Sequence, residues 1–265
     1  VGSDCLSLWF ADGTNYPGQG SIRARKHCFE ESLRALHAEL GPKQTMLVEY
    51  KPFEPAFYAT DIADWGMALL LAKKAGPRAK VLVDTGHHYN AQNIEQIVAW
   101  LLDEDMLGGF HFNDRRYADD DLTLGSIDPY QVFRIFHEIH FFAADRGRMP
   151  KIAYMIDQCH NEKPKIEATI QTVVMAQELY AKAALVDHDA LRRAQASNNV
   201  VDAELILKHA FFTDVAPALA AWRQANQLPA DPLAEHRRSG YVRAAAADRK
   251  RRRQELGLTQ GGSFA

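Results

Sequence analysis

Five short runs rich in apolar and β-branched residues recur along the chain: Cys5–Phe10, Met46–Lys51, Lys80–Asp84, Gly109–Asn113 and Ile152–Asp157. Each leads through turn residues into a segment whose apolar positions recur at helical spacing. That spacing predicts helices near Ile22–Leu40, Ile62–Ala75, Asn93–Asp103, Pro129–Asp145 and Lys165–Leu185. Ile94, Ile97, Val98, Leu101 and Leu102 form the clearest stripe of a helix with one buried face. Asp128 before Pro129 reads as an N-cap with a first-turn proline, and Gly41 and Gly76 read as helix stops.

Strands alternating with helices predict a parallel sheet with helices outside it. The units recur about every 37 residues, comparable with the roughly 31 of a (β/α)8 barrel. A doubly wound nucleotide-binding sheet is disfavoured, because Gly18-Gln19-Gly20 is a lone GxG and reads as a loop. After about Leu185 the pattern changes. Asn198-Asn199 breaks the chain, Val200–Phe212 and Val215–Gln224 read as helices, Pro229 and Pro232 mark a turn, and the tail from Glu235 is helical. The expected division is a partial barrel over 1–188 and a helical extension over 189–265. The chain opens on Val1 with a strand almost at once, so the sequence is expected to start in mid-fold.

Composition narrows the classes. The chain has 265 residues, 47% of them hydrophobic, and a formal net charge of −3. That balance argues against a dedicated binder of nucleic acid or of anionic membranes. The basic run Arg249-Lys250-Arg251-Arg252-Arg253 reads as a solvated helix end. Cys5, Cys28 and Cys159 are too few and too scattered for a disulfide scaffold or a CxxC zinc site, so a reduced, cytoplasmic setting is expected. The most apolar short run, Met67–Ala72, is far below the roughly 20 residues of a membrane span. No signal peptide is read at the start of the chain.

The informative feature is where the polar residues fall. In a barrel, chemistry sits at the C-terminal ends of the strands. Those ends carry Glu49 with Lys51, Asp84 with His87, His111 with Asn113, and Asp157. Strand alternation puts Glu49 and Lys51 on one face and Tyr50 on the other. Likewise His111 and Asn113 share a face while Phe110 and Phe112 turn towards the helices; Leu82 and Asp84 oppose Val81 and Val83. Downstream lies Asp119-Asp120-Asp121, and an extended loop would place Asp119 and Asp121 on one side as a chelating pair.

Glu49, Asp84, Asp119, Asp121 and Asp157 would bring five negative charges to one mouth. Carboxylates so crowded are not expected to ionise together without neutralising cations. Two divalent ions and Lys51 balance the sum, and His87 and His111 add neutral nitrogen ligands. Oxygen-rich ligation with one imidazole per ion suits Mn, Mg, Co or Zn.

These residues carry a resemblance. Leu8-Trp9-Phe10-Ala11-Asp12-Gly13-Thr14-Asn15-Tyr16-Pro17-Gly18-Gln19, Glu49-Tyr50-Lys51-Pro52-Phe53-Glu54-Pro55-Ala56-Phe57-Tyr58, Val83-Asp84-Thr85-Gly86-His87-His88, Gly108-Gly109-Phe110-His111-Phe112-Asn113-Asp114 and Met155-Ile156-Asp157-Gln158 resemble the L-rhamnose isomerase family of xylose-isomerase-like TIM barrels. The likeness runs in order from near Leu6 to about Tyr241. It implies a structural metal, manganese first, on Glu49, Asp84, His111 and Asp157. It implies a catalytic metal on His87, Asp119 and Asp121 with Asp84 bridging, Lys51 near sugar O1, and Trp9 and His87 lining the substrate pocket. It also implies a homotetramer. Family members are longer at the N-terminus, so the first three barrel units are expected to be absent and about five C-terminal units present.

The expected activity is aldose–ketose isomerisation, L-rhamnose to L-rhamnulose, with two divalent metals acting as Lewis acids. A metal-bound water held by Asp119 and Asp121 would move the oxygen-bound proton. The carbon-bound hydrogen would move by hydride shift or through a cis-enediol, with Asp157 as base in the second case and Lys51 stabilising developing negative charge. Two rival readings fit the same residues. One is a fragment that binds metal or sugar without turnover. The other is a metal-dependent phosphodiesterase of the endonuclease type, which wants more imidazoles and a basic groove.

Overall fold

The computed structural model describes residues 2–52, 59–158 and 162–258. The motif residues Phe53–Tyr58 and Cys159 therefore lie outside the described residues, as does the end of the tail.

Five strands form one parallel sheet: β1 (Cys5–Leu8), β3 (Thr45–Glu49), β5 (Ala79–Asp84), β6 (Leu107–Phe112) and β7 (Ala153–Ile156), in that spatial order. Two further short strands, β2 (Gly13–Thr14) and β4 (Ala59–Thr60), pair antiparallel. Helices α1 (Ile22–Glu39), α2 (Trp65–Ala75), α3 (Ile94–Asp103), α4 (Pro129–Arg146) and α5 (Lys165–Ala183) follow the successive strands. Spatial order matches chain order throughout. A doubly wound sheet reverses its order at a switch point, and this one does not. A flat sheet of five strands would hold its outer strands roughly 19 Å apart. Here Trp9, just past β1, and Asp157, just past β7, line one cavity together with Glu49 of β3, His111 of β6 and His87 just past β5, so the sheet curls. The architecture is a parallel half-barrel with helices outside it. Among the described residues neither β1 nor β7 has a strand partner on its outer edge.

Alternation sets the two faces. Met46, Val48, Tyr50, Val81, Val83, Phe110 and Phe112 are buried in the layer between sheet and helices. On the other face the register aligns Ser7 with Leu47, Glu49 with Leu82, Asp84 with His111, and His111 with Met155. The β-branched and aromatic outer set packs on helices. The inner set turns polar towards the strand ends.

Helix boundaries follow their caps. Asp64 accepts the Met67 N–H at 2.8 Å, so α2 starts at Trp65, three residues later than the apolar pattern implied. Asn93 accepts from Gln96 N–H and Asp128 from Gln131 N–H. Beyond α5 come α6 (His188–Ala196), α7 (Val200–Phe212), α8 (Ala216–Ala225), α9 (Pro232–Ser239) and α10 (Tyr241–Glu255). Helix α6 was not foreseen; Asp187 caps it on Ala190 N–H. Helix α9 starts at Pro232, ahead of the expected Glu235, because Asp231 caps it. Phe211 of α7 packs edge-on against Tyr130 and Phe133 of α4, tying the later helices to the barrel layer. The basic run lies on exposed α10, where Arg251 and Arg252 pair with Asp248. No helix among the described residues is long and apolar enough to cross a membrane.

The seam between α4 and α6 gathers His137, His140 and His188. His137 is buried, its ring 5.5 Å from that of His188, and its Nδ1 has no hydrogen-bond partner. Burial, then the neighbouring His188 and His140, hold its imidazole at about 4 against a usual 6.5. The unfolded chain takes up the proton first, so stability falls as pH drops below 6.5, and the loss is complete near 4. The loss is about 3 kcal/mol at most. The adjacent Glu138, raised by burial to about 7, acts in the opposite sense. Urea denaturation of His137→Phe against the parent should therefore show a flatter acid limb between pH 6.5 and 4. Limbs of equal slope would reject this role.

Candidate metal centre

The inner-face residues at the strand ends converge on a cavity of about 320 Å³ lined by Ser7, Trp9, Glu49, Lys51, His87, His111, Asp119, Asp121 and Asp157. Glu49 ends β3, Asp84 ends β5, His111 lies in β6 and Asp157 follows β7. Lys51 is fixed by its backbone: its N–H donates to Ile62 O at 3.0 Å and its carbonyl accepts from the Thr60 hydroxyl.

Among the described residues two groups of ligand-type atoms form, each within 4.8 Å of one another: Glu49, Asp84, His111 and Asp157, and Asp84, His87 and Asp119. His111 Nδ1 stands 3.3 Å from Glu49 Oε1, 3.4 Å from Asp157 Oδ2 and 3.8 Å from Asp84 Oδ2. His87 Nε2 lies 3.3 Å from Asp119 Oδ2 and 3.9 Å from Asp84 Oδ2. His87 Nδ1 lies 3.0 Å from the Tyr50 carbonyl, which fixes that nitrogen as the donor and leaves Nε2 for the cavity. Asp84 belongs to both groups. Its Oδ1 accepts from Gly86 N–H at 2.7 Å and from Asn113 Nδ2 at 2.9 Å, while its buried Oδ2 has no hydrogen-bond partner.

Asp121 lines the cavity but joins neither group of ligand atoms. The segment Asp119–Asp121 is not the extended loop that alternation implied. Asp120 accepts the backbone N–H groups of Arg116, Tyr117 and Ala118, and Asp121 adopts a left-handed φ of 48°. A turn, rather than a strand-like alternation, brings Asp119 and Asp121 to the same cavity.

Lys51 Nζ pairs with Asp119 Oδ2 at 2.5 Å and stands 5.4 Å from the Trp9 ring centroid. Trp9 is 40% exposed, an apolar wall beside the charged group. Ser7 also lines the cavity; it lies on β1 two residues before Trp9, so strand alternation puts both on the same face.

Five carboxylates collect here, and their crowding shifts the protonation of the ion-free site. Burial, with help from Glu49 and Asp119, lifts Asp84 to about 6 against the pull of His87. Burial lowers the His87 imidazole, yet the Asp119 hydrogen bond and the charges of Asp84, Asp119 and Glu49 outweigh it and raise it to about 9. The same balance raises His111, through Glu49 first. Asp119 is held low by His87 and Lys51 despite burial. Asp121 is lifted to about 7 by burial, by the Asp119 charge and by a hydrogen bond shared with it. A dication would take the place of these protons. An orphaned buried carboxylate oxygen between two imidazoles, with carboxylates on either side, is a donor set that fits divalent metal binding.

No family model matches the chain. It is 42% identical over 249 residues to a probable sugar isomerase of Rhizobium meliloti and equally to another of Mesorhizobium japonicum. The match covers 94% of this chain, which spans 58% of the length of those relatives. Among solved structures, a protein of Sinorhizobium meliloti aligns at 18% identity with a TM-score of 0.47, over 66% of this chain and 64% of that one. A xylose isomerase domain protein of Alicyclobacillus acidocaldarius aligns at 17% with the same TM-score, over 69% of this chain and 66% of that one.

Proposed function

We propose that this chain carries the metal and catalytic centre of an aldose–ketose isomerase, with L-rhamnose and L-rhamnulose as its substrate pair. The observation behind this reading is the shared Asp84 Oδ2, buried and unpartnered between two ligand groups. The relatives' description as probable sugar isomerases points the same way. The sheet is proposed to be five strands of an eight-stranded barrel, since its monotonic order, its curl and its two unpaired edges match a barrel arc.

In this reading Glu49, Asp84, His111 and Asp157 hold one divalent ion, and Asp84, His87 and Asp119 hold a second, with Asp121 beside it. Bound there, manganese or a similar ion supplies Lewis acidity towards the oxygens of the open-chain sugar. The chain's own residues do the rest. Lys51 points a fixed positive charge into the cavity and stabilises negative charge developing on O1 or O2. Asp121, lining the cavity beside that ion, would accept and return the proton that passes between those oxygens. Asp157, which lines the cavity, would be the base at carbon in an enediol route. Trp9 covers the apolar face of the sugar.

Activity on aldoses should vanish in EDTA and return with manganese or cobalt. An Asp119→Ala, Asp121→Ala double variant should lose at least a hundredfold in kcat. Undiminished turnover in that variant would reject the assignment.

A further inference from the structure

Asn113 follows β6, two residues past His111, and is 1% exposed. Its side chain faces the carboxylate of Asp84, with Nδ2 donating to Oδ1 at 2.9 Å. Only the amide nitrogen can face a carboxylate oxygen, so the chemistry fixes the amide's orientation. Gly86 N–H donates to the same oxygen at 2.7 Å. Between them these donors occupy Oδ1 and leave Oδ2 for the two imidazoles, 3.8 Å from His111 Nδ1 and 3.9 Å from His87 Nε2.

The donor is itself held firmly. Asn113 N–H donates to Thr85 Oγ1 at 3.0 Å, and that hydroxyl donates to the Asn113 carbonyl at 2.7 Å. Thr85 N–H donates to the His111 carbonyl at 3.0 Å. These bonds extend the β5–β6 pairing past its last register pair, Asp84 with His111. Gly86 leaves room for the amide: a Cβ there would stand 2.5 Å from Asn113 Oδ1 and 2.8 Å from Asp119 Oδ1. The terminal torsion of an aspartate is otherwise broad and roughly two-fold, so nothing intrinsic to Asp84 selects which oxygen faces the cavity.

We infer that Asn113 is a positioning residue that locks the Asp84 carboxylate so that a single oxygen, Oδ2, serves both ligand groups. The inference rests on the metal reading above and adds to it the residue that makes the carboxylate a shared ligand. Partners of this kind, one step behind a ligand, typically set metal affinity by 10–100-fold.

The test is manganese binding to the parent, Asn113→Ala and Asn113→Asp, followed by calorimetry and by the electron paramagnetic resonance signal of magnetically coupled ion pairs. Asn113→Asp keeps the volume but places a carboxylate where the donor was, so it covers the case in which the alanine variant does not fold. The parent should bind two ions and show the coupled signal. Both folded variants should bind the second ion 10–100-fold more weakly and lose the coupled signal at manganese levels that give it in the parent. Lower thermal stability with unchanged affinities and an unchanged coupled signal would mean a structural role only and would overturn the inference alone. A parent that binds no manganese would overturn the metal reading and the inference with it.

Discussion

Asp84→Asn should make the metal-free protein more stable at pH 8, by about 3 kcal/mol at most, while removing manganese binding at both ligand groups. Asp84 is fully buried, and its carboxyl is lifted by burial from 3.8 to about 6. A group with a raised folded-state value binds its proton more tightly when folded. Its penalty is therefore absent below about 3.8, grows as pH rises, and is complete above about 6. Asparagine keeps an oxygen for Gly86 N–H and Asn113 Nδ2 and replaces the orphaned Oδ2 by a donor facing carboxylates and imidazoles. Urea denaturation in EDTA should show the variant ahead of the parent at pH 8 and level with it near pH 4. A variant less stable than the parent at pH 8 would contradict the picture of a centre strained in the absence of its ions. Such a trade, stability given up at a functional carboxylate, is the usual pattern for ligand sites.

Manganese should raise the melting temperature of the parent by about 5–10 °C at a concentration a hundred times its dissociation constant. Binding only to the folded state stabilises by about 2.7 kcal/mol at that ratio, and each kcal/mol moves a chain of this size by about 2–4 °C. The shift should depend on pH with a definite sign. His87, at about 9, and Asp121, at about 7, hold protons that a dication must displace. Binding therefore releases protons, and the manganese-induced shift should be larger at pH 8.5 than at pH 6. Differential scanning fluorimetry with and without EDTA measures both. A shift equal at the two values would mean that these groups do not face the ion.

The outer and inner faces were readable because a strand has a period of two. Once Met46, Val48, Val81, Val83, Phe110 and Phe112 were placed outward, Glu49, Lys51, Asp84, His111 and Asn113 had to face the other way. The strand ends then converge because the sheet curls, which follows from a singly wound order and not from any one motif. The acidic loop was not readable in the same way. Its course is set by Asp120 bonding three backbone N–H groups and by a left-handed Asp121, choices local to a turn that no periodicity records. Helix α6 follows α5 after only Ala184 to Asp187, too short a break to interrupt an apolar pattern visibly. The bond from Asn113 to Asp84 joins residues 29 positions apart on neighbouring strands; sequence places both on one face but not in contact. Charge counting found the crowd of carboxylates; which of them share protons with His87 and Asp119 depends on contacts between loop and strand ends that no count records.

Anomalous diffraction from crystals soaked in manganese addresses the metal centre directly. The structure leads us to expect one peak among Glu49, Asp84, His111 and Asp157 and a second among Asp84, His87 and Asp119, with Asp84 Oδ2 between them. A map with no manganese peak at these side chains, or with manganese bound only elsewhere, would contradict it.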